Sequence, residues 1–139
     1  MEIKKRQLEI IEAAGEILTS SGLAGLTTKN LAAKMGFGES AIYRHFKGKE
    51  EIIVTMLQYL AADMDKRLTV SVVKSEDPVE KLKAVFNNHF DFFAKHPHFL
   101  VAVFSEGLQY ESKEINEAII QLMAIKRKHL LQFRKLLPV

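Results

Sequence analysis

The sequence predicts an all-α protein: a three-helix head with a helix-turn-helix, joined by a long helix to a helical body. Three observations carry this. Apolar residues recur at three- and four-residue steps along most of the 139 residues, the spacing of one helical face. Glycine, proline and hydroxyl residues punctuate those stretches where helices stop and start. No stretch makes a convincing strand.

The elements follow in order. Gln7 to Leu18 sets Ile10, Ile11, Ala14, Ile17 and Leu18 on one stripe, and Ser20, Ser21 and Gly22 end it. Thr27 is a hydroxyl residue able to accept from a helix's first free N–H groups. The helix it opens carries Leu31, Ala32 and Met35 and stops at Gly36, the residue favoured at a left-handed helix end. Phe37 and Gly38 form a turn. Glu39 to Phe46 makes the next helix, with Ile42 and Phe46 one turn apart on its inner face. Ile10, Ile17, Leu31, Ile42 and Phe46 pack these three together.

A long helix begins at Lys49, with Ile53, Met56, Leu57, Leu60, Met64 and Leu68 on one stripe, and fades near Val70 to Lys74. Asp77 and Pro78 start another, capped by Asp77, with Leu82, Phe86, Phe90 and Phe93 as its inner side. His96-Pro97-His98 stops it. Phe99 to Phe104 reads as a short buried helix and Gly107 to Ser112 as a loop. From Lys113 a final amphipathic helix carries Ile115, Ala118, Ile119, Leu122, Met123, Lys126, Leu130, Phe133 and Leu137.

Composition excludes several classes. Hydrophobic residues at 47% and charged residues at 27% are ordinary for a soluble globular chain. Cysteine is absent, which removes disulfides and thiolate metal sites and fits a cytoplasmic address. No apolar run approaches the roughly 20 residues a membrane span needs, and the N-terminus is not secretory in pattern. No nucleophile elbow, phosphate loop or paired-carboxylate context stands out, so neither an enzyme nor a cofactor is expected. His89, His96 and His98 lack a carboxylate at metal-binding spacing, and no metal is expected.

Charge concentrates in the head. Lys29, Lys34, Arg44, Lys47 and Lys49 face Glu39 alone between Thr28 and Lys49, in a chain of net charge +3. Lys4, Lys5 and Arg6 add a basic N-terminal arm. On a helix-turn-helix, cations clustered this way suit a phosphate backbone. The face of Glu39–Phe46 opposite Ile42 and Phe46 offers small residues, an aromatic hydroxyl, a guanidinium and an imidazole. That is the logic of a helix entering a DNA major groove.

Leu26 to Ile52 resembles the DNA-binding motif of the TetR family of bacterial transcriptional repressors. The matching positions are Thr27, Thr28, Ala32, Gly36, Tyr43, His45, Phe46 and Lys49. The likeness extends back to about Arg6 through Ala14 and Gly22, roughly the first third of the chain. Where the family often has Ser or Thr in the turn, this chain has Gly38, a weaker cap.

The resemblance implies a DNA-binding domain over 1–48 and a ligand-binding regulatory domain over 49–139. The second is incomplete at its C-terminus, since the family's two dimer-forming helices would follow. It implies double-stranded DNA with a palindromic operator as partner, a homodimer, and release by a small apolar effector, with no membrane. Tyr43, His45 and Lys49 become phosphate candidates, Ser40, Ala41 and Arg44 are base-edge candidates with Glu39 a further option, and Thr27, Thr28, Lys29 and Lys47 complete the DNA-binding set. Phe86, His89, Phe90, Phe93, Phe104, Tyr110 and Met123 become effector-pocket candidates, although plain core is the default reading of aromatic residues at helical spacing. The rival reading is a helical module without an effector that binds nucleic acid nonspecifically or binds a protein.

Overall fold

A computed structural model describes residues 2–136, and Leu137 of the last apolar stripe lies outside the described residues. They form eight α-helices and two short 3-10 turns, with no strand among them.

Helix α1 (Lys5–Gly25) buries Ile10, Ile11, Ala14, Ile17 and Leu18. It starts at Lys5, so the expected basic arm is mostly first-turn helix. Arg6 lies over the Phe37 ring at 5.4 Å and pairs with Glu9. At Gly22 the backbone turns to φ 70°, a region glycine enters without steric cost. That kink directs Leu26 inward, where it is buried, with its N–H donating to the Leu23 carbonyl at 3.2 Å.

Helix α2 (Thr28–Met35) starts as its sequence requires, the Thr27 hydroxyl accepting from the Asn30 N–H at 3.0 Å. Gly36 closes it at φ 77°. There the Gly36 and Phe37 N–H groups reach back to the Ala33 and Ala32 carbonyls, which satisfies two otherwise orphaned acceptors. Helix α3 (Glu39–Tyr43) is shorter than the sequence suggests and has no side-chain cap at Gly38. Helical bonds nevertheless persist beyond it, from the Arg44 N–H to Ser40 and from the Phe46 N–H to Ile42, at 3.2 and 3.0 Å.

Helix α4 (Lys49–Ser71) is the spine. It buries Ile52, Ile53, Met56, Leu57, Leu60, Met64 and Leu68, and runs into a 3-10 turn at Val72–Lys74. Helix α5 (Pro78–Lys95) opens on Pro78, but Asp77 makes no side-chain cap; its N–H donates to the Ser75 hydroxyl at 3.1 Å instead. The buried face of α5 also differs from expectation. Val85 is buried and Leu82, Phe92 and Phe93 pack on the core, while Phe86 and Phe90 stand exposed, stacked at 6.2 Å.

Helix α6 (Pro97–Val103) is amphipathic rather than buried: Phe99 and Ala102 are buried, while Leu100 and Val101 are partly open to solvent. The expected loop after Gly107 holds a further turn, α7 (Leu108–Glu111), anchored by buried Leu108. Helix α8 (Lys113–Leu131) is capped by Ser112, whose hydroxyl accepts from the Ile115 N–H at 3.1 Å.

Helix α4 packs against α1 in the head and against α5 and α8 in the body. The Asp65 carboxylate of α4 accepts from Lys128 Nζ at 2.8 Å and lies 2.7 Å from His129 Nε2, both on α8. Those two hydrogen bonds, Lys128's the larger, hold the Asp65 carboxyl below its ordinary range. A second seam joins α1 to α6. At Gly15 a β-carbon would meet the His98 ring at 2.8 Å, and the Thr19 hydroxyl, which donates to the Gly15 carbonyl at 2.9 Å, also lies 3.3 Å from the His98 carbonyl. One buried apolar cluster runs through head and body.

Candidate nucleic-acid interface

A helix of about one turn does not hold itself together in water, so α3 exists because Ile42 and Phe46 are anchored in the core. Anchoring these two fixes which side chains face outward. Ser40, Tyr43 and Arg44 are exposed, and Ala41 and His45 half-exposed, on the side away from the core. Tyr43 leaves 53% of its surface open. Thr27, Lys29 and Lys47 are exposed as well.

Thr28 is the hub of this surface. Its hydroxyl donates to Glu39 Oε2 at 3.0 Å and lies 3.2 Å from the Tyr43 hydroxyl. With the Thr28 proton committed to Glu39, Tyr43 is left to donate to Thr28. Glu39 is therefore drawn toward the start of α2, and the Tyr43 ring is fixed in direction. Glu39 is a possible base-edge reader in the sequence; in the structure its carboxylate accepts from Thr28.

Lys49 is likewise engaged. Its ammonium donates to the Leu23 carbonyl at 3.0 Å and lies 3.4 Å from Glu111 of α7. The sequence offered no sign of that pairing, because Glu111 belongs to a segment read as loop. Lys34 pairs with Glu16 at 3.0 Å. Lys47 and Arg44, by contrast, have no carboxylate partner among the described residues.

The body contains a cavity of about 60 Å³ between α4, α5, α6 and α8. His89, Phe93, Phe104 and Met123 of the expected effector set line it. Phe86 lines a separate open groove between α5 and α8. Phe90 at 67% exposed and Tyr110 at 84% are outside both. Arg67 and Lys126 also reach the cavity, and neither was singled out as a site residue. Each interrupts an apolar helical stripe, Arg67 after Met64 and Lys126 after Met123; that interruption was the available signal. Burial, followed by the charges of Lys126 and Arg67, pushes the His89 imidazole down to about 4. His89 is neutral near pH 7.

A head of this geometry, with an anchored short helix presenting Arg44 and Tyr43 outward, defines a helix-turn-helix protein. Residues 10–56 match the family model described as "Bacterial regulatory proteins, tetR family". That match covers the three-helix head and the first turns of α4. It is similar to the nucleoid occlusion factor SlmA of Haemophilus influenzae, 22% identical over 138 residues, and of Aliivibrio fischeri, 25% identical over 135. These alignments cover 96% and 94% of this chain; the chain spans 63% of the Haemophilus relative's length and 69% of the Aliivibrio one's. Among solved structures, the ketosteroid transcriptional regulator KstR2 of Mycobacterium tuberculosis superposes with a TM-score of 0.81 at 23% identity, over 95% of this chain and 67% of that one. The fatty acid degradation regulator FadR of Bacillus halodurans gives 0.77 at 21%, over 95% and 69%. These likenesses extend the shared fold well beyond the head. Among the described residues, no helix is long and apolar enough to cross a membrane.

Proposed function

We propose that the chain is a cytoplasmic transcriptional repressor that reads double-stranded operator DNA through α3 and is released by a small effector held in the body cavity. It acts as a homodimer, with two α3 helices meeting a palindromic operator at half-sites about 34–36 Å apart. The names of its relatives point to different tasks, so the reading rests on the site. The observation that carries it is the outward face of α3, where Ser40 and Arg44 stand exposed on a helix held from behind by Ile42 and Phe46.

Each residue then has a role set by its chemistry. Arg44, without a carboxylate partner among the described residues, is the base reader; its planar fork suits the O6 and N7 of guanine. Ser40 and Ala41 admit close approach to the groove floor. Tyr43, oriented by Thr28, and His45 with Lys47 hold the phosphates. Thr27, Thr28 and Lys29 flank them at the start of α2.

Selection from randomised operators tests this directly. Arg44→Ala should flatten the preference at one base position per half-site, at a cost of about 1–3 kcal/mol for the correct base. An unchanged preference would remove Arg44 from the reading face. Lys47→Ala should instead weaken all sequences alike and lower the slope of log affinity against log salt by about one per protomer, because one fewer counterion is released. A changed base preference with an intact slope would contradict the phosphate role.

A further inference from the structure

The body cavity has an apolar wall and a cationic corner. Leu60, Met64, Phe93, Val103 and Leu122 supply much of the wall, and among the described residues the charged side chains that line it are Arg67 and Lys126. Arg67 is already occupied. Its Nε donates to Asp63 at 2.6 Å, another arm donates to Asn88, and its guanidinium lies 4.0 Å from the Phe92 ring centre.

Lys126 is different. It is half-buried and has no carboxylate partner among the described residues. Beside it, His89 Nδ1 is buried without any hydrogen-bond partner. A buried polar atom without a partner is costly, and Lys126, which also lines the open groove between α5 and α8, brings an uncommitted cation to the cavity's edge. Both groups line one cavity, and a single anionic group there would give His89 Nδ1 an acceptor and Lys126 a counter-charge. The charges that push the His89 proton off, Lys126 before Arg67, are those that would hold an anion there.

We propose that the effector of this cavity is an apolar acid, a small hydrophobic carboxylate whose hydrocarbon part lies against Leu60, Phe93 and Leu122 while its carboxylate pairs with Lys126 and accepts from His89 Nδ1. The proposal rests on the reading of the body as an effector site, and it names the effector's class. The neutral imidazole must carry its proton on Nδ1 in the complex, since a carboxylate only accepts. An uncharged apolar molecule of the same shape would fill the wall but leave Lys126 and Nδ1 as they are.

Hexanoate and hexanol, and phenylacetate and 2-phenylethanol, form two matched pairs that separate straight-chain from aryl acids. Binding of each to the full chain is measured by calorimetry, and release of operator DNA is followed in parallel. At least one acid should bind roughly tenfold or more tighter than its alcohol, the scale of a charge-assisted pair in a partly desolvated site. Lys126→Met keeps the apolar stem and removes the charge. It should erase that preference with far-UV circular dichroism unchanged, and Lys126→Arg should restore it in part. Alcohols that bind and release DNA as well as the acids would overturn the acid proposal while leaving an effector site in place. A preference for acids that survives Lys126→Met would overturn it too. If neither member of either pair binds, the proposal and the effector reading of the cavity fall together.

Discussion

Phe46→Ala should destabilise the protein by about 3–5 kcal/mol, the usual cost of deleting a buried phenyl ring and leaving its cavity. Phe46 is 3% exposed and closes the segment after α3, its N–H donating to the Ile42 carbonyl at 3.0 Å. Helix α3 spans only five residues, too few to persist without tertiary support. The ring therefore does two things: it fills the head's core and holds the recognition segment in its helical turn. Small domains have about 5–15 kcal/mol in total, so operator binding should disappear along with much of the stability. Tyr43→Ala is the control. That side chain is half open to solvent and touches Thr28 at the surface, so its removal should stay within about 0.5 kcal/mol. Urea unfolding followed by circular dichroism separates the two. Equal midpoints for both variants would show that the head does not depend on this anchor.

The head was legible from sequence because its signals are local. Thr27 accepts from an N–H three residues on, and Gly36 adopts the left-handed conformation at a helix end; both need only short-range chemistry. Ile42 and Phe46 were readable for the same reason, since one turn of spacing fixes a common face. The body was read less well. Helix α5 offers two overlapping stripes, Leu82-Phe86-Phe90-Phe93 and Leu82-Val85-His89-Phe92. Counting aromatics favours the first, whereas the structure buries Val85 and turns His89 into the cavity. Hydrophobicity alone cannot rank the stripes, because the correct one contains a histidine whose burial depends on the other helices that close the cavity.

The same limit explains Lys49 and Glu39. Their types and positions match DNA contacts, yet Lys49 reaches Leu23 and Glu111, and Glu39 reaches Thr28. A charged side chain's first partner is chosen by what folding brings near it. For Lys49 the partners are the Leu23 carbonyl and the Glu111 carboxylate of α7, a turn anchored by Leu108 and not by any periodic pattern.

Gly15→Leu should break the communication between cavity and head. Helix α6 touches both: Leu100 and Val103 line the cavity, while His98 and Phe99 lie against Gly15 of α1. Even a single β-carbon at Gly15 would approach the His98 ring to 2.8 Å. A leucine would drive α6 away from α1, at a cost of about 1–3 kcal/mol for overpacking. If the effector acts by moving α6, the wedge imposes that movement without any ligand. Operator affinity of the unliganded variant should then fall by roughly tenfold or more, and an effector should weaken it little further. The reason is thermodynamic: a ligand shifts an equilibrium only by its differential affinity for the two states, and the variant already occupies the released one. Gly15→Ala serves as a milder wedge and should lie between the two. The measurement is operator affinity with and without a bound cavity ligand, alongside unfolding curves to confirm that the head remains folded. A folded Gly15→Leu protein that keeps both full affinity and full response would mean the α1–α6 seam carries no signal, and that α4, running from the head to Leu60 and Met64 of the cavity wall, carries it alone.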